Sequence, residues 1–265
     1  MSEEAPRARS PWLSRIVFAL SLLLLFAPLF TIVVYSFLVP RVGEPGWHLG
    51  MEWYEKALAR VALRDALFVS LEVAFGSSLI ACTLGTLAAI AIDRYDFPGR
   101  RLFHVITMMP LVLPELVMGL MCLLWFATLR ITLGTWSIVC AHVTFSVSYV
   151  LLTVRARLVE FDHRLELAAQ DLGARPGQVL WHITIPLVMP AALAGGMMAF
   201  TLSFDDFLIS FFTAGTNADT LPIKLYGLIK FGLNREIYAV STLLLAVTLS
   251  VVLIRGVVSK GKNYF

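Results

Sequence analysis

Leu167-Ala168-Ala169-Gln170-Asp171-Leu172-Gly173, followed after nine residues by Ile183-Thr184-Ile185-Pro186, is the stretch on which the fold of this 265-residue chain turns. It reads as two short helices. Asp162 is placed to cap the first, accepting from backbone N–H groups that have no partner within the helix. Ala168 and Ala169 keep one face small enough for close approach to another surface. Gly173 breaks the helix, because glycine tolerates the left-handed conformation found just past helix ends. Pro176 starts the second helix, where a missing N–H does no harm, and Pro186 is expected to end it.

Outward from this hairpin the chain is apolar. It is 58% hydrophobic and 15% charged, with a mean hydropathy of +0.81; soluble domains carry about 25% charged residues. Lipid is therefore the expected solvent. Ile16–Phe37, Leu67–Ile92, Leu102–Leu129, Thr135–Thr153, Leu187–Phe212 and Ile237–Ile254 are each long enough to cross a hydrocarbon core of about 30 Å as helix. The first run is longer than a signal peptide's apolar core and no small-residue cleavage site follows it, so it is expected to be retained.

Six crossings put both ends on one side. Thirteen of the 21 Lys and Arg residues fall on that side, among them Arg7, Arg9, Arg15, Arg100, Arg101, Arg155 and Lys262, and none falls inside a span. The excess makes this the cytoplasmic side. The outer loop Val39–Ala66 holds Trp47, Trp53 and Tyr54, suited to an interfacial anchor. The net charge of +3 is too small to argue for nucleic acid. Cys82, Cys122 and Cys140 all sit in apolar runs, which points to packing and not to a disulfide or metal site.

The hairpin resembles the EAA loop of ABC importer permeases: Glu-Ala-Ala, three residues, Gly, nine residues, Ile-x-Leu-Pro. The spacing is intact across Ala168, Ala169, Gly173, Ile183 and Pro186. Leu167 stands where Glu is usual, with Glu166 one residue early, and Ile185 stands where Leu is usual. Ala141–Phe145, Phe200–Asp206, Leu221–Tyr226, Met109-Pro110 through Pro114-Glu115 and the Pro98-Gly99-Arg100 turn are similar to the spermidine/putrescine permease branch. Similarity runs from about residue 63 to residue 253.

The resemblance implies an all-α, polytopic, six-helix type I importer permease, a single transmembrane domain over residues 1–265. Its core would be about 63–256 and its coupling loop about 160–186. It also implies a bacterial inner-membrane location, a second homologous permease subunit, a cytoplasmic ATPase dimer and an extracytoplasmic polyamine-binding protein. The chain has no G-x4-G-K-[ST] phosphate loop, so ATP and Mg are expected on the partner ATPase and no cofactor on this subunit. A permease for iron, a sugar or another small molecule is the alternative. An intramembrane enzyme is disfavoured by the lack of an H-E-x-x-H motif or paired histidines.

Four carboxylates fall inside the expected spans: Glu72, Glu115, Asp205 and Asp206. A charge at the bilayer centre costs at least about 2.5 kcal/mol, and no Lys or Arg accompanies these. Unpaired acids suit a cationic ligand. By the rise of a straight helix, Asp206, Glu72 and His142 lie about 8–10 Å inside the outer ends of their helices, and Glu115 at or beyond mid-depth. Glu115 also follows a double-proline helix break at Pro110 and Pro114, and broken helices often line cavities. These five are the substrate-path candidates. Glu72 as an interfacial acid and His142 as a packed, hydrogen-bonded residue are the plainer alternatives. Asp205 and Asp206 should lie about 100° apart around one helix. Phe204, Phe207 and Phe211 are aromatic neighbours able to hold methylene segments or cations.

Overall fold

Apolar runs in lipid must satisfy their own backbone polar groups. In the computed structural model, which describes residues 11–41, 45–216, 218–231 and 235–260, the runs are helices. Arg7, Arg9 and Lys262 lie outside the described residues. The elements in order are α1 (Pro11–Phe37), a two-stranded hairpin β1 (Leu38–Pro40) and β2 (Trp47–Leu49), α2 (Glu52–Ala59), α3 (Val61–Arg94) and α4 (Arg100–Met108). There follow α5 (Glu115–Thr128), α6 (Thr135–Glu160), α7 (Arg164–Asp171), α8 (Pro176–Val179) and α9 (Ile185–Asp205). The last three are α10 (Leu208–Thr213), α11 (Leu221–Lys230) and α12 (Glu236–Lys260).

Among the described residues, four segments are long and apolar enough to cross a membrane: Ser14–Phe37, Val61–Arg94, Thr135–Glu160 and Pro176–Asp205. The run over Leu102–Leu129 is broken where its two prolines predict, into α4 with its 3-10 turn and α5, bent by 113°. Pro110 and Pro114 cause the break, since neither can donate to the preceding turn, and Pro114 is extended (φ −60°, ψ 136°). The sixth expected run falls in α12, where the described apolar stretch, Glu236–Val247, is shorter than a full crossing. The straight span Leu187–Phe212 is corrected: α9 stops at Asp205, Asp206 is extended, and α10 starts at Leu208. Asp205 and Asp206 are therefore not neighbours around one helix.

The chain divides into two units, Ala62–Tyr226 and the parts flanking it. Within the larger unit, α3, α6 and α9 cross on small residues. A Cβ on Gly85 of α3 would stand 2.7 Å from Val150 Cβ of α6, and one on Gly195 of α9 would stand 3.1 Å from Val150 Cα. Close approach over glycine is how helices gain packing in lipid, where burial from water offers nothing. Ala81, Ala88, Ala89, Val154, Val188 and Ala192 complete this core. A second cluster joins Met118 and Phe126 of α5, Ala141 and Phe145 of α6, and Ile209 of α10.

In the flanking unit, α1 packs on α12 and α2. Trp53 Nε1 donates to the Leu38 carbonyl (3.0 Å) and Tyr54 shares a 2.6 Å hydrogen bond with Ser36. Trp53 thereby ties the hairpin to α2, and Tyr54 ties the end of α1 to it. Arg235 lies 4.0 Å from the centre of the Trp47 ring.

Candidate functional site

Both helix breaks open onto one place. A cavity of about 430 Å³ is lined by Glu115, the first residue of α5, and by Asp205 and Asp206, where α9 ends. Phe145 and Tyr149 of α6 and Phe207 supply aromatic wall. Phe207 also packs against Tyr226 at 4.7 Å and Phe211 at 5.5 Å. Phe204 stacks on Phe200 instead, so one of the three expected aromatics faces the cavity. Glu115 and Asp205 are exposed, and neither is ion-paired among the described residues.

Asp206 is different: its side chain is 6% exposed. Its Oδ2 accepts from His142 Nε2 at 3.2 Å and from the Ser210 N–H at 2.8 Å, and its Oδ1 from the Ile209 N–H at 3.4 Å. Asp206 thereby caps α10, whose first N–H groups have no internal partner. A carboxylate only accepts, so Nε2 of His142 carries a proton. Nδ1 of His142 meets Ser203 Oγ at 2.7 Å, and Ser203 meets Ser77 Oγ at 2.9 Å. Ser77, Ser203, His142 and Ser210 are all buried. This polar chain fastens α3, α6, α9 and α10 around the cavity floor.

Of the five membrane candidates, the structure thus brings Glu115, Asp205 and Asp206 to one cavity, with His142 behind Asp206. Glu72 is exposed on α3 and lines no part of it. Depth along a straight helix does not apply to Glu115 or Asp206, because each stands at a helix break. Tyr149 was missed. His142, Phe145 and Tyr149 are spaced i, i+3 and i+7, one face of α6, and that periodicity was the available signal.

The loop behaves largely as its residues dictate. Asp162 Oδ1 accepts from the Arg164 N–H at 3.0 Å. Gly173 has φ +88°, and Pro176 opens α8. Pro186 does not end the second helix: a π-helical turn at Leu180–Thr184 carries the chain past it into α9. The wider turn accommodates a proline ring that would clash with the carbonyl four residues earlier. Ile183 lies inside that turn, and Ala168 and Ala169 lie on α7. Leu165, Leu167 and Leu172 are exposed beside Ala168.

Glu166, one residue before the position where the EAA loop usually carries its acid, is 3% exposed. Its carboxylate accepts from Thr184 Oγ1 (2.6 Å) and bonds His163 Nδ1 (2.6 Å). Arg94 Nε, at the end of α3, stands 2.9 Å away as an ion pair. Burial pushes the Glu166 carboxyl up. The Thr184 hydroxyl, the Arg94 charge and His163 together outweigh burial and hold it below the ordinary glutamate range. The loop is therefore latched to α3 and to the π turn. Arg94 and Glu166 are far apart in sequence, and no local pattern pairs them.

A family model described as "Binding-protein-dependent transport system inner membrane component" matches residues 81–259. The putrescine transport system permease protein PotI of Escherichia coli K12 is 38% identical over 250 residues, covering 91% of this chain and 88% of that protein. The spermidine/putrescine transport system permease protein PotC of Haemophilus influenzae is 33% identical over 240 residues, covering 91% and 93%. Among solved structures, a chain of a bacterial ABC transporter that imports the acidic polysaccharide alginate superposes with a TM-score of 0.71 at 16% identity, covering 99% of this chain and 100% of that one. A chain of the MetNI methionine ABC transporter gives 0.59 at 14% identity, covering 73% and 90%. These two likenesses carry the fold alone. Matched over most of its length at this level of identity, the chain belongs to the binding-protein-dependent transport system inner membrane component family, the membrane subunits of ABC transporters.

Proposed function

We propose that this chain is a permease subunit of an ATP-driven importer of polyamines such as putrescine and spermidine. The cavity at the two helix breaks is the part of the path it contributes. The observation that carries the reading is the pairing of open carboxylates on Glu115 and Asp205 with a helix C-terminus. The last carbonyls of α9 point past Asp205 with no helical partners, and a helix end of this kind carries about half a negative charge. A carboxylate there adds to it. A cation entering the cavity relieves both, as unwound helix ends do in other transporters. Phe145, Tyr149 and Phe207 offer ring faces to ammonium groups and apolar wall to methylenes. The names of the relatives support the same substrate class.

Both termini are assigned to the cytoplasm, with six crossings, α12 being the sixth. A second, homologous permease closes the path, a binding protein delivers substrate from outside, and an ATPase dimer binds ATP and Mg inside. This subunit hydrolyses nothing itself. The exposed face of α7, with Leu165, Ala168 and Leu172, docks on the ATPase. The latch from Glu166 to Arg94 and Thr184 passes its displacement to α3 and α9, opening the path to each side in turn.

Vesicles holding the assembled transporter should take up labelled spermidine when ATP is present inside the ATPase compartment. Unlabelled putrescine should compete, and ferric iron, maltose and sulfate should not. Competition by one of the latter with none from putrescine would replace the substrate while leaving the permease assignment standing.

A further inference from the structure

A second cavity, about 670 Å³, lies away from the acidic one. Its polar wall is Arg100 and Arg101 at the start of α4, His104 one turn on, and Arg155 of α6. Its apolar wall is Ile92, Phe97 and Pro98. Arg155 Nη1 donates to His104 Nε2 at 2.6 Å, which fixes the guanidinium against the pocket. The Asp96 carboxylate accepts from Arg100; it is 93% exposed. No acid is paired with Arg101 or Arg155 among the described residues that line the pocket. Beside it, Leu102, Val105 and Ile106 of α4 are more than half exposed, and Phe97 packs edge-on against Phe103 at 6.1 Å.

Cations gathered over an apolar floor, next to an exposed apolar stripe, match an amphiphile and not a free ion. We propose that this pocket binds the phosphate headgroup of an anionic phospholipid, with its acyl chains along Leu102, Val105 and Ile106. Arg101 and Arg155 contact the phosphate, and Arg100 joins them by exchanging Asp96 for it. Guanidinium groups suit this task because they present paired donors to phosphate oxygens, and basic pockets among membrane helices hold acidic headgroups in this way. The site lies at the α3–α4 turn, so it meets a headgroup layer whichever way the chain is inserted, and it does not depend on the transported solute.

The test is native mass spectrometry of the assembled, detergent-solubilised transporter after equilibration with equal phosphatidylglycerol and phosphatidylcholine. Wild type should retain phosphatidylglycerol in preference. Arg101→Gln and Arg155→Gln should each lower occupancy roughly fivefold, taking about 1 kcal/mol per surface arginine. Asp96→Asn, which removes the competing carboxylate, should raise it and keeps the test decisive if an arginine variant assembles poorly. Equal retention of the two lipids, occupancy unchanged in all three variants, or retention of added inorganic phosphate without lipid would each overturn the proposal.

Discussion

Adjacent aspartates with the same side chain have been given different work by a single helix end. Asp206 accepts from a histidine and two backbone N–H groups, so its removal leaves buried donors unpaired at about 1–3 kcal/mol. Asp205 has an open carboxylate on the cavity. Asp206→Ala should therefore lower the thermal unfolding midpoint of the solubilised protein, and Asp205→Ala should leave it nearly unchanged. Equal midpoints would refute the division. Glu166 makes a pH prediction. Its folded value lies below the ordinary range, so its contribution to stability is complete above that range and is lost as pH falls through the depressed value. Wild type should lose thermal stability on acidification below about pH 4 more steeply than Glu166→Gln, which has no proton to bind; parallel curves would remove Glu166 from the latch.

At the scale of elements, glycine acts here in two separable ways. Gly85 is small because Val150 lies against it: an added Cβ would sit 2.7 Å from Val150 Cβ and 2.9 Å from the Val147 carbonyl. Gly85→Ala should cost about 2 kcal/mol by overpacking, read as a lower yield of monodisperse, heat-stable protein. Gly173 has open space around it but φ +88°. Gly173→Ala should cost about 1 kcal/mol through backbone strain alone, and its effect should appear in substrate-stimulated ATPase activity more than in protein yield. A normal ATPase response would separate that turn from coupling. The breaks were legible only in part. Pro110 and Pro114 announced the first, whereas the extended Asp206 has no proline or glycine beside it. It follows from the cap it forms on α10 through the nearby Ser210 N–H, held by His142 from a distant part of the chain. Pro186 misled in the other direction, because a π turn absorbs a proline at no cost that local sequence displays.

For the whole molecule, hydropathy was enough to reach an all-helical membrane protein, and the loop's resemblance to a known family was enough to reach a permease, since both rest on consecutive residues. What consecutive residues do not contain is which acids share a cavity. Glu115 and Asp205 line one cavity because two separate helix breaks border it, while Glu72, equally intramembrane by its sequence, stands on an exposed face. The central claim is that Glu115 and Asp205 attract a cationic substrate, and the most direct measurement is ATP-driven uptake of labelled spermidine by vesicles holding either wild type or the Glu115→Gln/Asp205→Asn double variant. Both substitutions keep size and remove charge, and both side chains are exposed, so assembly with the partner subunits should be unchanged. The account predicts that uptake falls by at least tenfold, about 1.4 kcal/mol or more, with the variant complex intact; wild-type uptake by that intact complex would contradict it.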